Sequence, residues 1–369
     1  MDFRPSPAQQ LLVATAREFL RKECPPEQVQ RLARDRRGVD ETLWRRVAEL
    51  GWPGLLIPAE LGGSGGSLLD VVLLVEEIGR AGLPGPFVTS AVAATSVLLA
   101  AGTAEPQRRL LPPLAAGERL VTLAILESTG SFDVDRVGLA CDVPGRLSGT
   151  KHFVADAHIA DDVIVVVREG NDLSLLLLPL DRPGIAQRPL DTMSGAKLFD
   201  LTFDRVGVRA EDRLAAGGAA RTALGAGLTA GALARTAEMV GAAQRVLELA
   251  LEHARTRVQG GRPIGGYQAI QHACADLVRD VDAARGLLHD AAWRVAEGLS
   301  ADAEVALAKA YAGEACLAVA RRGHQIFGAI GYCEEHSLHH LHKRIHAASL
   351  DFGDAAFHLE TVARAIGLA

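Results

Sequence analysis

Few stretches of this chain gather side chains able to do chemistry. Five histidines, His336, His339, His340, His342 and His346, recur at near-helical spacing and mimic a metal site. No cysteine or carboxylate is interspersed among them, so they read as a polar helix face. Glu238 lies inside an apolar stretch, where carboxylates are rarely buried unpaired, and an inter-helix hydrogen bond or salt bridge is expected there. The run GGSGGS (62–67) is no phosphate loop, because the Lys and Ser/Thr that should follow are absent. The richest constellation is HARTRVQGGRPIGGYQAIQHACADL (253–277), which sets Arg257, Gln259 and Gln268 around paired glycines. From the residues alone it is a helix ending near Arg257, a Gly-rich turn with Pro263 stopping the helix, and a new amphipathic helix starting near Tyr267.

Helical spacing of apolar residues places elements over Ala8–Lys22, Glu41–Leu50, Leu68–Ala81, Ser90–Ala101 and Glu105–Ala116. At about Arg119 the texture changes to β-branched and leucine-rich runs, at 120–126, 161–167, 173–180 and 198–204. They are separated by turn residues instead of helices, so an antiparallel sheet or small barrel is expected. After about Gly217 four helical stretches follow, 228–258, 268–297, 302–326 and 336–366, which make a four-helix bundle. The fold class is therefore mainly α with a central β-domain: an N-terminal helical domain (1–118), a β-domain (119–216) and a C-terminal bundle (217–369). The bundle's Ala- and Leu-rich helices carry more apolar surface than four helices hide, which predicts an oligomer.

Composition narrows the function. The chain has 369 residues, 49% of them hydrophobic, enough to bury more than one core, and a net charge of -6 that argues against a nucleic-acid surface. Five scattered cysteines without a CxxC pair fit a reducing cytoplasm rather than a disulfide framework. Neither a signal pattern at the N-terminus nor a membrane-length apolar run is present, so a cytoplasmic protein without a membrane partner is expected.

The 253–277 stretch resembles the acyl-CoA dehydrogenase pattern AxxRxQFGxPIxxFQAIQHxLAD, matching at Arg257, Gln259, Gly261, Pro263, Ile264, Gln268, Ala269, Ile270, Gln271, His272, Ala275 and Asp276. HQIFGAIGYCEEHSLHHLHKR (324–344) is similar to the family's QxxGGxGF(T)xEH segment at Gln325, Gly328, Gly331, Tyr332, Glu335 and His336, with Ala329 replacing its second glycine. LSGTKHFVADAHIADDVIVVV (147–167) looks like its (L)xGxKxFITNGxxAD segment. The resemblance implies FAD as cofactor and α,β-dehydrogenation of an acyl-CoA thioester. It also implies that Arg257, Gln259, Gln268, Gln325, Gly328 and Gly331 reach the adenine and pyrophosphate half of an FAD bound mainly by a neighbouring subunit. Arg suits that role because its planar fork pairs with phosphate oxygens, and glycine lets the backbone approach closely. For Gln259 and Gln268 a purely structural role weighs equally, since Gly260 replaces the family's aromatic neighbour.

The departures from the pattern fall at the chemistry. The family's base, the Glu of a YEGT-like segment, registers on Phe352 within Asp351-Phe352-Gly353-Asp354, and the alternative base position on the first bundle helix is Gly231. Neither accepts a proton, so no catalytic residue is assigned. The flavin-contacting threonines of the β-domain register on Leu126 and Ala155, each loss worth roughly 1–3 kcal/mol where a heteroatom is left unpaired. The preferred expectation is the smaller, base-less subunit of a heteromeric enzyme, α2β2 with a homologous subunit that holds the acyl-CoA, possibly a steroid side-chain CoA ester. Asp351, Asp354 or Glu238 acting as a displaced base in a homomeric enzyme is the second reading, and a flavin-free structural or thioester-binding protein the third. The electron acceptor stays open.

Overall fold

The computed structural model describes residues 4–102, 104–142 and 145–368. In chain order they form α1 (Pro7–Glu23), α2 (Pro26–Arg34), α3 (Glu41–Glu49), α4 (Leu68–Ala81), a π-helical segment (Phe87–Ala94) running into α5 (Thr95–Ala101), and α6 (Ala104–Ala115). Strands follow: β1 (Val121–Ala124), β2 (Cys141–Asp142), β3 (Arg146–Ala155), β4 (Asp162–Glu169), β5 (Asp172–Pro179), β6 (Ile185–Leu190), β7 (Leu198–Gly207) and β8 (Arg213–Ala216). The chain closes with α7 (Gly217–Thr256), the short pair β9 (Val258–Gln259) and β10 (Arg262–Pro263), α8 (Gln268–Ala296), α9 (Asp302–Phe327), α10 (Leu338–Leu350) and α11 (Ala355–Ala365). Local chemistry sets the ends. Ser6 and Gln9 make a reciprocal capping box ahead of α1 with Pro7 in its first turn, and the Asp40 carboxylate takes the N–H groups of Thr42 and Leu43 at the start of α3.

Contacts divide the chain into two compact units. One comprises the described residues of Met1–Arg31, Leu68–Leu83 and Ala232–Ala369, the other Leu32–Ser67 and Pro84–Gly231. In the second unit two four-stranded sheets, ordered β1-β4-β5-β8 and β2-β3-β7-β6, share a core of Val163, Val165, Val167, Leu176 and Leu178 from one sheet and Leu147, Leu201, Phe203 and Val206 from the other. Strands β4 and β5 are buried on both faces, which is why they read as unbroken apolar runs. Among the described strands pairing is antiparallel except between β1 and β4, which run parallel in register Val121 with Asp162; an isolated parallel bridge joins Ala140 to Arg168. A tight turn cannot join parallel neighbours, and β2 and β3 of the opposite sheet fill the crossover between them.

In the first unit α7 and α4 cross backbone to backbone. A Cβ on Gly241 would stand 1.9 Å from the Glu76 carbonyl oxygen, and one on Gly79 would stand 2.2 Å from that of Glu238. Leu277, Val281, Ala284 and Leu288 make the buried stripe of α8, one heptad-like face as the sequence spacing predicts. The expected last bundle helix, 336–366, is instead two helices, because the chain breaks at Asp351–Asp354. Phe352 and Gly353 adopt left-handed φ values of 55° and 97°, which no α-helix contains.

Candidate functional site

The hairpin that follows α7 explains its glycines. Gly260 and Gly261 have φ values of 58° and 79°, the conformation of a two-residue type I′ turn joining β9 to β10. A Cβ on Gly260 would meet the Tyr267 hydroxyl at 2.4 Å; that hydroxyl donates to the Gln259 carbonyl, while the Arg262 guanidinium lies 4.1 Å from the centre of the Tyr267 ring. Gly260 is thus a steric requirement of the turn, and the tyrosine occupies the space beside it. Arg257, Gln259, Gln268 and Gln325 are all exposed, and their side chains hold no hydrogen bond or ion pair among the described residues.

Aromatic rings bring the ends of α7 and α9 to one edge of this unit. His253, one turn before Arg257, stacks on Phe327 at 4.4 Å, and Phe327 meets His336 at 4.6 Å. Gly328 caps α9 with φ 66° and ψ -145°, and the turn Gly328–Tyr332 follows. Gly331 is buried, and a Cβ there would lie 3.0–3.2 Å from Leu338, Phe327 and the His324 Nδ1. Of the residues singled out from sequence, Gln325, Gly328 and Gly331 share the end of α9 and the turn after it, Arg257 follows the end of α7 whose His253 meets Phe327, and Gln268 opens α8 beyond the hairpin.

The histidines of α10 make no metal site: among the described residues no group of three or more His, Cys, Asp or Glu could hold an ion. Nor are they merely a solvated face. His342 packs 5.0 Å from the buried His324. Burial, then the neighbouring His342, His339 and His336, push the His324 imidazole down to about 4.

At the break between α10 and α11 every candidate acid is already engaged. The Arg235 guanidinium donates to Asp351 Oδ2 at 2.8 Å and to Glu238 Oε2 at 2.6 Å, and Arg344 donates to the other Glu238 oxygen. Burial raises the Glu238 carboxyl, but the two arginines outweigh it and hold it below the usual range. Asp354 caps α11 by accepting the Phe357 N–H. Phe352 is 6% exposed. Its carbonyl accepts from His358 Nε2 at 2.9 Å, and Lys309 donates to the carbonyls of Ser349 and Gly353 at 2.9 and 2.7 Å. Desolvation lowers the Lys309 ammonium to about 8 and the His358 imidazole to about 4. Sequence reasoning missed Arg235, Lys309, Arg344 and His358, whose only signal is a charged or titratable residue on an otherwise apolar helical face.

In the other unit Leu126 and Ala155, the positions that the resemblance aligns with threonines, make their hydrogen bonds through the backbone. The Leu126 carbonyl accepts from the His152 N–H, and the Ala155 carbonyl accepts from the Thr122 hydroxyl at 2.6 Å. The intervening Glu127 binds the fully buried Lys151 ammonium at 2.7 Å together with the N–H groups of Gly138 and Leu139. Phe153 stands at the bulge of β3, 54% exposed, with φ 56°. Gly231 is buried and offers no side chain.

Comparison with known proteins finds the model for the acyl-CoA dehydrogenase N-terminal domain at residues 6–118 and that for the acyl-CoA dehydrogenase C-terminal domain at 220–367. The acyl-CoA dehydrogenase IpdE2 of Mycobacterium tuberculosis is 32% identical over 347 residues, 94% of this chain and 93% of the relative. A chain from the structure of the ChsE4-ChsE5 complex of the same organism superposes with a TM-score of 0.92 at 29% identity, covering 100% of this chain and 100% of that one. A structure described as a Tcur3481-Tcur3483 steroid ACAD variant has a TM-score of 0.87 at 30% identity, with 97% of each chain covered.

Proposed function

We propose a function from one premise: the chain belongs to the acyl-CoA dehydrogenase family, FAD-binding oxidoreductases that act on acyl-CoA. The chain is the base-less subunit of a heteromeric enzyme, and its Arg257, Gln325, Gly328 and Gly331 complete the FAD site of a homologous partner that carries the thioester. The carrying observation is that Asp351, Asp354 and Glu238, the acids weighed as a displaced base, are all engaged. Phe352 occupies the register itself, Asp351 and Glu238 are paired with arginines, and Asp354 caps a helix. The residues at the bundle edge fit the cofactor's phosphates. An exposed guanidinium and exposed amides have donors to spare, and Gly328 leaves open the space where a side chain would stand. When bound, the cofactor supplies the hydride acceptor for α,β-dehydrogenation. This chain's part is to bind and orient it, while proton abstraction falls to a carboxylate of the partner. The pairing described for ChsE4-ChsE5 supports a heteromer, and the steroid description of the Tcur3481-Tcur3483 pair supports a bulky steroid side-chain thioester as substrate.

The test is flavin absorbance per subunit, for the chain purified alone and together with a co-encoded homologue. Flavin only in the mixture is expected. A lone chain that retains stoichiometric flavin and turns over acyl-CoA would refute the assignment.

A further inference from the structure

We propose that the turn between α9 and α10 is an acid-operated latch, closed by His336 and His324 as neutral imidazoles and opened, together with the first turn of α10, when the two rings are protonated. The inference concerns this chain's own fold and does not depend on the cofactor assignment.

A hydrogen bond of fixed direction carries the first half of the argument. A helix begins with backbone N–H groups that lack internal partners, and Ser337 gives α10 no side-chain cap. His336 takes that place: the Leu338 N–H donates to its Nδ1 at 3.2 Å. A ring nitrogen that accepts from an amide carries no proton, so the contact exists only with a neutral imidazole. Protonation turns the acceptor into a second donor and sets a positive charge at the positive end of the helix dipole. Both effects open the same turn.

A buried ring at the same place carries the second half. His324, on the last turn of α9, is 2% exposed, and its Nδ1 has no hydrogen-bond partner. Tyr332 stacks on it at 4.4 Å, and His342 of α10 stands 5.0 Å away. Gly331 lets the turn come down on the ring, since a Cβ there would lie 3.2 Å from the His324 Nδ1. Its titratable neighbours are His336 of the turn and His339 and His342 of α10, while His336 itself faces His253 of α7 and His339. Behind these, Arg257 faces His253, and Arg321 and His346 face His342. On the α7 side Val246 meets Gly323, and from α2 the Gln30 amide donates to the Glu334 carbonyl, which also accepts from His339. The turn's own acids are Glu334 and Glu335. Burial, then these histidines, lower His324 to about 4 and hold His336 below its ordinary value.

Both shifts are downward, so the open turn takes up protons first. Closure is complete above pH 6.5 and is lost as pH falls towards 4. A ring that titrates at 6.5 when open and at about 4 when closed raises the opening equilibrium about 30-fold between pH 7.5 and pH 5.

The experiment is amide hydrogen exchange of the full chain, corrected for the intrinsic pH dependence of exchange, with residues 277–288 of α8 as the reference for global stability. In the wild type, amides 338–342 should lose about 30-fold or more of their protection relative to that reference between pH 7.5 and pH 5. His336→Asn keeps an acceptor that does not titrate, so it should match the wild type at pH 7.5 and lose less at pH 5. His336→Arg is charged throughout and should be open already at pH 7.5. His324→Phe keeps a flat neutral ring and should also blunt the acid loss; if it does not fold, the two His336 variants decide. Equal wild-type protection at the two pH values overturns the proposal. So does an acid loss in His336→Asn as large as in the wild type, or a closed turn in His336→Arg.

Discussion

Glu238→Gln separates the two roles open to the most buried acid of the bundle. The carboxylate is 4% exposed and joins Arg235 on its own helix to Arg344 on α10, with Arg235 also holding Asp351. Removing one partner of a buried ion pair leaves the other charge uncompensated and costs about 3–5 kcal/mol. Here two arginines lose it at once, although Arg235 keeps Asp351, so a loss within that range is expected rather than beyond it. The urea midpoint of the variant should fall accordingly, while turnover per folded, assembled complex stays within about twofold. A catalytic base would behave in the opposite way, because deleting one removes about 10²–10⁴-fold of rate without necessarily touching stability. The lowered pKa of Glu238 points the same way: a carboxylate held ionised by two guanidinium groups is a weak proton acceptor. An unchanged urea midpoint with turnover reduced a hundredfold would refute the ion-pair reading and make the chain catalytically complete.

Arg257→Ala, assayed as FAD retained per complex after dialysis, should lower cofactor affinity about ten- to a hundredfold, as expected for a lost hydrogen bond to a charged group, with assembly intact. At position 352 the left-handed φ of 55° predicts that Phe352→Gly is more stable than Phe352→Ala by about 1–2 kcal/mol, the reverse of the order in a helix interior, with flavin content unchanged in both. His358 sets an acid limb. Its folded pKa of about 4 lies below the ordinary 6.5, so the unfolded chain takes up the proton first, and stability complete above pH 6.5 is lost as pH falls towards 4. The loss by pH 5 is up to about 2 kcal/mol, and in a thermal-midpoint series His358→Gln should lose about that much less than the wild type while keeping the acid limb of His324.

The order of helices, strands and bundle was legible because each element carries its own period. Strands β4 and β5 announce themselves as apolar runs, and α8 as a stripe. Strand β6, IAQRPL, is exposed along most of its length and contains Pro189, so neither alternation nor hydrophobicity marks it as an edge strand. Strand β3 hides its inward face behind Lys151, which is buried through a pairing with Glu127 that lies 24 residues away. The parallel pairing of β1 with β4 is likewise non-local. The glycines of 253–277 could be read as a turn, but their type, and the tyrosine that forbids a side chain at Gly260, required coordinates. At the candidate site the sequence singled out Arg257, Gln325, Gly328 and Gly331 and led to the proposal that the base is missing. It could not show that the neighbouring acids are engaged, since Arg235 reaches Asp351 and Arg344 reaches Glu238 across helix contacts.

The break at Asp351–Asp354 is over-determined from outside itself. A helix continuing from α10 into α11 would satisfy its carbonyls internally and would need neither Lys309 nor His358. In this fold Lys309, 1% exposed, donates hydrogen bonds to the carbonyls of Ser349 and Gly353 on either side of Phe352, and His358 Nε2 donates to the carbonyl of Phe352 itself. Gly353 tolerates no side chain, because a Cβ would stand 2.4 Å from Phe357 and 2.8 Å from His358. The backbone at position 352 is therefore fixed by groups on α9 and α11 whatever side chain it carries, and it holds a non-glycine residue in a conformation that costs about 1–2 kcal/mol. Stability alone gives no reason to keep such a turn in place of a straight helix. It follows that this loop's shape and its chemistry are separable: on the proposed register the turn keeps its architecture whatever side chain stands at 352, and here that side chain is a buried ring.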